Sequence, residues 1–142
     1  MDVSETCREI LVSRLVALRP RLERHFGLTL SGIQGPEFHR WRTGDHFALH
    51  RDGAPDAEAR FLRDRKISVV VFLNGAPDSA GDAGYSGGTL TFYDLFESSR
   101  PGPLGLALRG DAGLLVAFGS DVAHAVTPVT GGERFTTVCW FV

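Results

Sequence analysis

Residues 66–93, KISVVVFLNGAPDSAGDAGYSGGTLTFY, decide the architecture. Lys66–Asn74 is a β-branched and aromatic run, too short for a globular helix and closed by turn-forming residues. Thr89–Tyr93 is a second run of the same kind, and both read as strands. Between them, residues 75–88 hold five glycines and no apolar periodicity, a connection long enough to have a function. Similar short runs separated by Gly, Pro, Asp and Ser clusters continue at 37–42, 46–51, 104–109, 113–118, 121–126 and 134–142. Such a succession of short strands and turns predicts a mainly β chain, folded as an antiparallel sandwich or barrel. A second long connection, 53–65, is mixed in charge. Both connections are expected to form the rim of a cavity and to be the most mobile parts of the chain.

Upstream the period changes. Cys7, Leu11, Leu15, Leu18, Leu22 and Phe26 recur at intervals of three or four and fall on one stripe of a helix over 4–26. Ser4 or Thr6 can cap its start, and Thr6-x-x-Glu9 has the capping-box spacing. Gly27 is the expected stop. Pro20, inside the pattern, predicts a kink or a break into two helices. Arg8, Glu9, Arg19 and Arg21 form its solvated face. The expected organisation is a single domain, with residues 1–36 as a helical support packed on the sheet and residues 37–142 as the β core.

The 142 residues are one domain's length, and 43% hydrophobic with 23% charged residues is an ordinary globular composition. Fifteen basic residues against seventeen acidic ones leave a net charge of −2, too small a field to recruit nucleic acid or an anionic membrane. The apolar runs fall far short of the ~20 residues of a membrane span, and no basic-then-apolar leader opens the sequence. Cys7 and Cys139 form neither a disulfide framework nor a thiolate metal site. These features predict a cytoplasmic protein with no nucleic-acid or membrane partner.

Three side chains carry the chemistry. His50 and Asp52 are two apart, so on a strand they point to one face; His124, between Val122 and Val126 on another strand, can supply a third ligand. Two imidazoles and one carboxylate form the facial triad of non-haem Fe(II) oxygenases, with coordination positions left open. Arg134 follows on the last long strand, where it shares a face with Thr136, Val138 and Trp140. An arginine among apolar neighbours needs an anion or an exposed strand end. Two readings stand: a bidentate partner for a carboxylate, or a solvated residue after the Gly131-Gly132 turn.

The stretch Trp41-x-x-Gly44-x-x-Phe47-x-x-His50-x-Asp52 resembles the opening motif of the prolyl 4-hydroxylase-type 2-oxoglutarate/Fe(II)-dependent dioxygenases. Phe72-Leu73-Asn74, Ser86-Gly87-Gly88-Thr89-Leu90 and His124-Ala125-Val126-x-Pro128-Val129-x-x-Gly132-x-Arg134 follow in that family's order over residues 38–142. The resemblance implies a double-stranded β-helix, a jelly-roll of the cupin kind, which agrees with the strand count. It implies that His50, Asp52 and His124 bind Fe(II) and that Arg134 pairs with the distal carboxylate of 2-oxoglutarate. Thr136, Trp41 and Val126 would complete the cosubstrate pocket. The implied reaction consumes 2-oxoglutarate and O2, releases succinate and CO2, and hydroxylates an aliphatic C–H, with ascorbate as reductant. Halogenating relatives have a small residue in place of the carboxylate; Asp52 retains it, which favours hydroxylation. The implied substrate is a small molecule or a peptidyl group, proline or something amino-acid-like. Homo-oligomers are compatible with this reading. Trp41 stands where a tyrosine is usual, and Phe72 where one branch of the family has a tyrosine that helps hold 2-oxoglutarate.

Two other classes compete with this reading. One is a jelly-roll module that binds metal or 2-oxoglutarate without turnover; the other is a cupin-type metal oxygenase that does not use 2-oxoglutarate. Among the remaining candidates, His46 is expected to be exposed or to stand behind a ligand, and His25 to complement the helix dipole. His39 is expected to pack or be solvated, Trp140, Phe141 and Cys139 to be core, and Tyr85 to sit in the glycine-rich loop. Phe47 and Val126 would line an apolar pocket, with His46, Arg51 and Arg63 near its mouth.

Overall fold

The computed structural model describes residues 3–75, 84–95 and 104–142. The chain opens with α1 (Glu5–Phe26). Ser4 is the N-cap, its hydroxyl oxygen accepting from the Cys7 N–H at 3.3 Å, and Gly27 closes the helix at φ 65° with its N–H donating to the Glu23 carbonyl. The helix runs unbroken through Pro20, so no division into two helices occurs. Pro20 is exposed, where a carbonyl deprived of its helical donor can bond to water, while Leu15 and Leu22 on the other face are buried.

The strands are β1 (Ile33–Trp41), β2 (Phe47–His50), β3 (Ile67–Phe72), β4 (Tyr85–Gly87), β5 (Leu90–Tyr93), β6 (Gly105–Leu108), β7 (Leu115–Gly119), β8 (His124–Val126), β9 (Val129–Gly132) and β10 (Arg134–Phe141). A short helix, α2 (Arg60–Asp64), precedes β3. One four-stranded sheet has the order β1-β10-β3-β7 and a second has β2-β8-β5-β6, while β4 and β9 pair with each other; all pairings are antiparallel. This is a jelly-roll with an N-terminal helix.

Each expected run contains a strand, but β1 begins at Ile33, ahead of the run at 37. The stretches around β4 and β9 read as turns, yet Tyr85 pairs with Gly132 and Ser86 with Gly131. The connection 53–65 holds α2. Residues 76–83 of the other connection lie outside the described residues, and the expected mobility of that rim with them. No helix among the described residues is long and apolar enough to cross a membrane.

The central strands of the first sheet, β3 and β10, are covered on both faces. On one, α1 packs Leu15 and Leu22 against Leu30, Ile67, Val69, Cys139 and Phe141. On the other, Val70 and Phe72, with Phe118 of β7 in the same sheet, meet Leu90, Phe92 and Val126 of the facing layer. Val69 and Val70 thus serve different cores, as alternation along β3 requires. Burial pushes the Cys139 thiol up to about 12, which leaves it an unreactive packing group. Leu15 is 1% exposed. Leu15→Ala is expected to destabilise the protein by about 2–5 kcal/mol in urea or thermal unfolding, since a rigid sheet face cannot collapse into the cavity left behind.

Candidate metal centre

The two sheets enclose a cavity of about 330 Å³. Register sets one wall: Gln34 lies opposite Trp140, Glu37 opposite Val138, His39 opposite Thr136 and Trp41 opposite Arg134. An irregularity between Gln34 and Glu37 keeps these β1 residues on the same side despite their odd spacing. Phe47, His50, Leu90, His124 and Val126 form the opposing wall.

His50 and His124 are direct cross-strand partners on β2 and β8, with ring centroids 4.2 Å apart. Asp52 lies just past the end of β2, in a bend whose Gly53 N–H donates to the Ser120 carbonyl at 2.8 Å. The ligand-type atoms of His50, Asp52 and His124 lie within 4.8 Å of one another. Nε2 of His50 is 3.2 Å and Nε2 of His124 is 3.7 Å from the same oxygen, Asp52 Oδ1. The Nδ1 atoms are committed elsewhere, 2.8 Å from the Ala48 carbonyl in His50 and 2.9 Å from the Val122 carbonyl in His124. A carbonyl only accepts, so Nδ1 carries the hydrogen in each ring, and the neutral form presents its Nε2 lone pair inward. Aromatic rings fix the imidazoles: Phe47 lies 4.2 Å from His50, and Phe118 meets His124 edge-on at 4.9 Å.

Electrostatics suit a cation. Burial alone would raise the Asp52 pKa, but the His50 imidazole 3.2 Å away, the dipoles of the nearby Ser68 hydroxyl and Trp140 indole N–H, and the charge of His124 outweigh it and hold the group at about 2. The Trp140 contribution falls short of a well-formed hydrogen bond, because its Nε1 has no partner at hydrogen-bond geometry. Burial lowers the His124 pKa. For His50 burial is opposed and outweighed by Asp52 and the Ala48 carbonyl, so its pKa is raised. A preorganised carboxylate and two Nε2 atoms converging on one point fit a divalent ion with open positions. The raised His50 pKa has a sign consequence: a bound ion displaces a proton held more firmly than usual. Affinity for Mn(II) or Zn(II), titrated by calorimetry between about pH 8 and about pH 6, is therefore expected to fall steadily as pH drops. A flat profile would show that His50 is not a ligand.

Arg134 lies at the far end of the same wall and is only 2% exposed. Its guanidinium carbon sits 5.1 Å from the ring centroids of both Trp41 and Phe72, and 5.9 Å from that of Tyr85. Nε has no hydrogen-bond partner, and no carboxylate pairs with the group among the described residues. Burial lowers its pKa against an opposing contribution from Tyr85. Gly88, at φ 58°, makes room for it: a Cβ there would lie 2.8 Å from Arg134 Cδ. Thr136 is buried beside Arg134, and its Oγ1 accepts from Trp41 Nε1 at 3.0 Å.

Matched against known families, residues 36–142 fit the 2OG-Fe(II) oxygenase superfamily. The chain belongs to that superfamily. Fe(II), 2-oxoglutarate and O2 are the cofactors of the group, and the His50, Asp52 and His124 cluster suits the metal. A PKHD-type hydroxylase of Klebsiella pneumoniae (strain 342) is 34% identical over 110 residues, which cover 76% of this chain and 43% of the relative. Another, from Shewanella sp. (strain ANA-3), is 31% identical over 105 residues, 74% of this chain and 41% of the relative. The chain thus spans about two fifths of the length of these relatives. Among solved structures, a Pseudomonas putida prolyl-4-hydroxylase superposes with TM-score 0.70 at 25% identity, covering 99% of this chain and 68% of that one. A viral collagen prolyl hydroxylase from Paramecium Bursaria Chlorella virus-1 shares the fold, with TM-score 0.59 at 17% identity over 97% of this chain and 73% of that one.

Other expectations divide. Phe47, Val126 and Arg51 line the cavity, but His46 and Arg63 do not: His46 is exposed, and Arg63 donates to the Ala57 carbonyl at 3.1 Å. His39, expected to pack or be solvated, faces the cavity with Nε2 3.3 Å from Glu37 Oε2. Tyr85 is not a loop residue but a buried strand residue against Arg134. Trp140 is buried, and it also lines the cavity. Sequence reading missed Glu37 and Arg65 as lining residues. The parity shared with Trp41 could have placed Glu37 and His39 there; nothing comparable marked Arg65.

Proposed function

We propose that the chain is a 2-oxoglutarate-dependent Fe(II) hydroxylase acting on an aliphatic C–H bond of a proline-like or other amino-acid-like substrate. The observation that carries this reading is Arg134. A buried guanidinium without an anion is costly, and this one sits in the cavity that also holds the cluster of two histidines and an aspartate, where a carboxylate would complete it. The names of the relatives, PKHD-type hydroxylase and prolyl-4-hydroxylase, support the same reading.

His50, Asp52 and His124 hold the ion in this reading. Bound iron supplies the coupled oxidation in which 2-oxoglutarate becomes succinate and CO2, with one oxygen atom of O2 going to succinate and the other to the substrate C–H. Arg134 binds the distal carboxylate through its planar fork. Because the Thr136 oxygen already accepts from Trp41, its own O–H is free to donate to that carboxylate. Trp41 therefore acts through Thr136. Val126, Leu90 and Phe47 exclude water from the cosubstrate, which strengthens each charged contact.

The test is Fe(II)-dependent release of succinate from 2-oxoglutarate, with calorimetric binding of 2-oxoglutarate to the Mn(II)-loaded protein in parallel. Succinate release that requires both Fe(II) and O2 is expected. Binding without any release would favour the non-catalytic module, and oxygen consumption that is indifferent to 2-oxoglutarate would favour the cupin-type alternative.

A further inference from the structure

At the other end of the cavity from Arg134 stands a second set of charges. Trp140 is six residues along β10 from Arg134 and faces the same cavity, so the two α-carbons are roughly 20 Å apart at the ~3.3 Å rise of a strand. A five-carbon diacid held at Arg134 leaves this end free. The Arg65 guanidinium carbon lies 3.6 Å from the centroid of the Trp140 ring. The side chain is held in place: Nε donates to Gln34 Oε1 at 2.9 Å and Nη1 to the Asp52 carbonyl at 3.3 Å. Nη2 donates to none of the described residues.

Glu37, on β1, lines the same mouth. Its carboxylate contacts His39 at 3.3 Å and forms no ion pair with Arg65, although the two charges influence each other. Two opposite charges thus face one cavity across a gap that neither side chain closes. The Arg65 contact with the Asp52 carbonyl puts the metal ligands beside this gap. The cavity volume is at the lower end of the ~300–1,000 Å³ typical of small-molecule sites, and the cosubstrate must share it.

We propose that Arg65 and Glu37 select a free α-amino acid as substrate, Arg65 taking the α-carboxylate and Glu37 the α-ammonium. This rests on the hydroxylase reading above and narrows its substrate. The planar guanidinium offers a carboxylate-matching edge, and the ammonium replaces a gap between charges with two charge-assisted contacts. Leu62 and the Trp140 ring flank the space left for an aliphatic side chain. A residue inside a peptide has neither charge at its α-carbon and would leave both partners unsatisfied.

The experiment offers the Fe(II)- and 2-oxoglutarate-loaded protein the free proteinogenic L-amino acids, their N-acetyl and carboxamide derivatives, and N-acetyl-Ala-Pro-Ala-amide. Succinate release and a mass gain of one oxygen are the activity readouts; calorimetry on the Mn(II)–2-oxoglutarate protein gives binding without turnover. At least one free amino acid is expected to bind and be oxidised, and each blocking group to cost about ten- to a hundred-fold, the range for losing a charge-assisted hydrogen bond. Arg65→Gln should erase the preference for carboxylate over carboxamide, and Glu37→Gln the preference for free amine over acetyl. A purely structural role would weaken all substrates equally and leave both preferences intact, which overturns the proposal. So would turnover of the blocked peptide equal to that of every free amino acid, or no response to any of them. If 2-oxoglutarate binds and no free amino acid does, only this inference fails; if 2-oxoglutarate does not bind, the hydroxylase reading fails and this one with it.

Discussion

Asp52→Ala is expected to abolish turnover while the protein stays folded, and His124→Ala to do the same. Asp52 is the only anion of the three-residue cluster, and its carboxylate is the point on which both Nε2 atoms converge. Its removal leaves two neutral rings, and the loss of affinity should exceed the ~10–100-fold typical of losing an outer-shell partner. Binding to the folded state adds RT ln(1 + [L]/Kd), about 2.7 kcal/mol at a hundredfold excess over Kd. Thermal unfolding with and without Mn(II) should therefore show a metal-dependent shift in the parent chain and none in either variant. Circular dichroism checks the fold, and succinate release checks catalysis. Retention of Fe(II)-dependent activity by either variant would overturn the assignment of the ligands.

Arg134→Met should separate stability from binding in an informative direction. The residue is a charge buried among Trp41, Phe72 and Tyr85 with its Nε unpaired, so an unbranched apolar side chain of similar reach removes an unsatisfied group. Unfolding of the protein free of 2-oxoglutarate is expected to be unchanged or shifted to higher denaturant. Affinity for 2-oxoglutarate, by contrast, should fall by about ten- to a hundred-fold or more, from the loss of contacts of ~1.5–3 kcal/mol each. Mn(II) affinity should hardly move. A variant that is strongly destabilised yet binds 2-oxoglutarate normally would make Arg134 a structural residue and place the anchor elsewhere.

The parts of this molecule legible in the sequence were those in which side-chain pattern and backbone agree. The stripe from Cys7 to Phe26 and the run Lys66–Asn74 declare their periods because one face or both must be apolar. The chemical cluster was legible for a different reason: His50 and Asp52 keep their spacing whether or not Asp52 is inside the strand, and the bend brings its carboxylate beside both imidazoles. β4 and β9 were hidden because their pairing runs through Gly87, Gly131 and Gly132, residues that carry no alternation. Pro20 misled because a missing helical hydrogen bond is cheap on an exposed face. The cavity mouth was illegible in another way: nearness in sequence suggested Arg63, whereas the chain turns through α2 and presents Arg65 instead. His39 faces the cavity because its strand partner is Thr136, a pairing that its local sequence does not reveal.

The double cover on the central strands of the first sheet has a mechanical consequence. Along β10, Thr136, Val138 and Trp140 shape the cavity, while Cys139 and Phe141 between and beyond them are gripped by α1 from behind. The helix is thus a back plate against which the reactive wall is braced, and no slack layer separates the two. Removing residues 3–27 would strip cover from Leu30, Ile67, Val69, Cys139 and Phe141 and free the strand that carries Arg134 to flex. On β1 and β10, changes to the shape of the pocket are accordingly restricted to alternating positions, and each such change is felt on the helix side within one residue. On this wall, specificity can drift only in steps that the back plate tolerates.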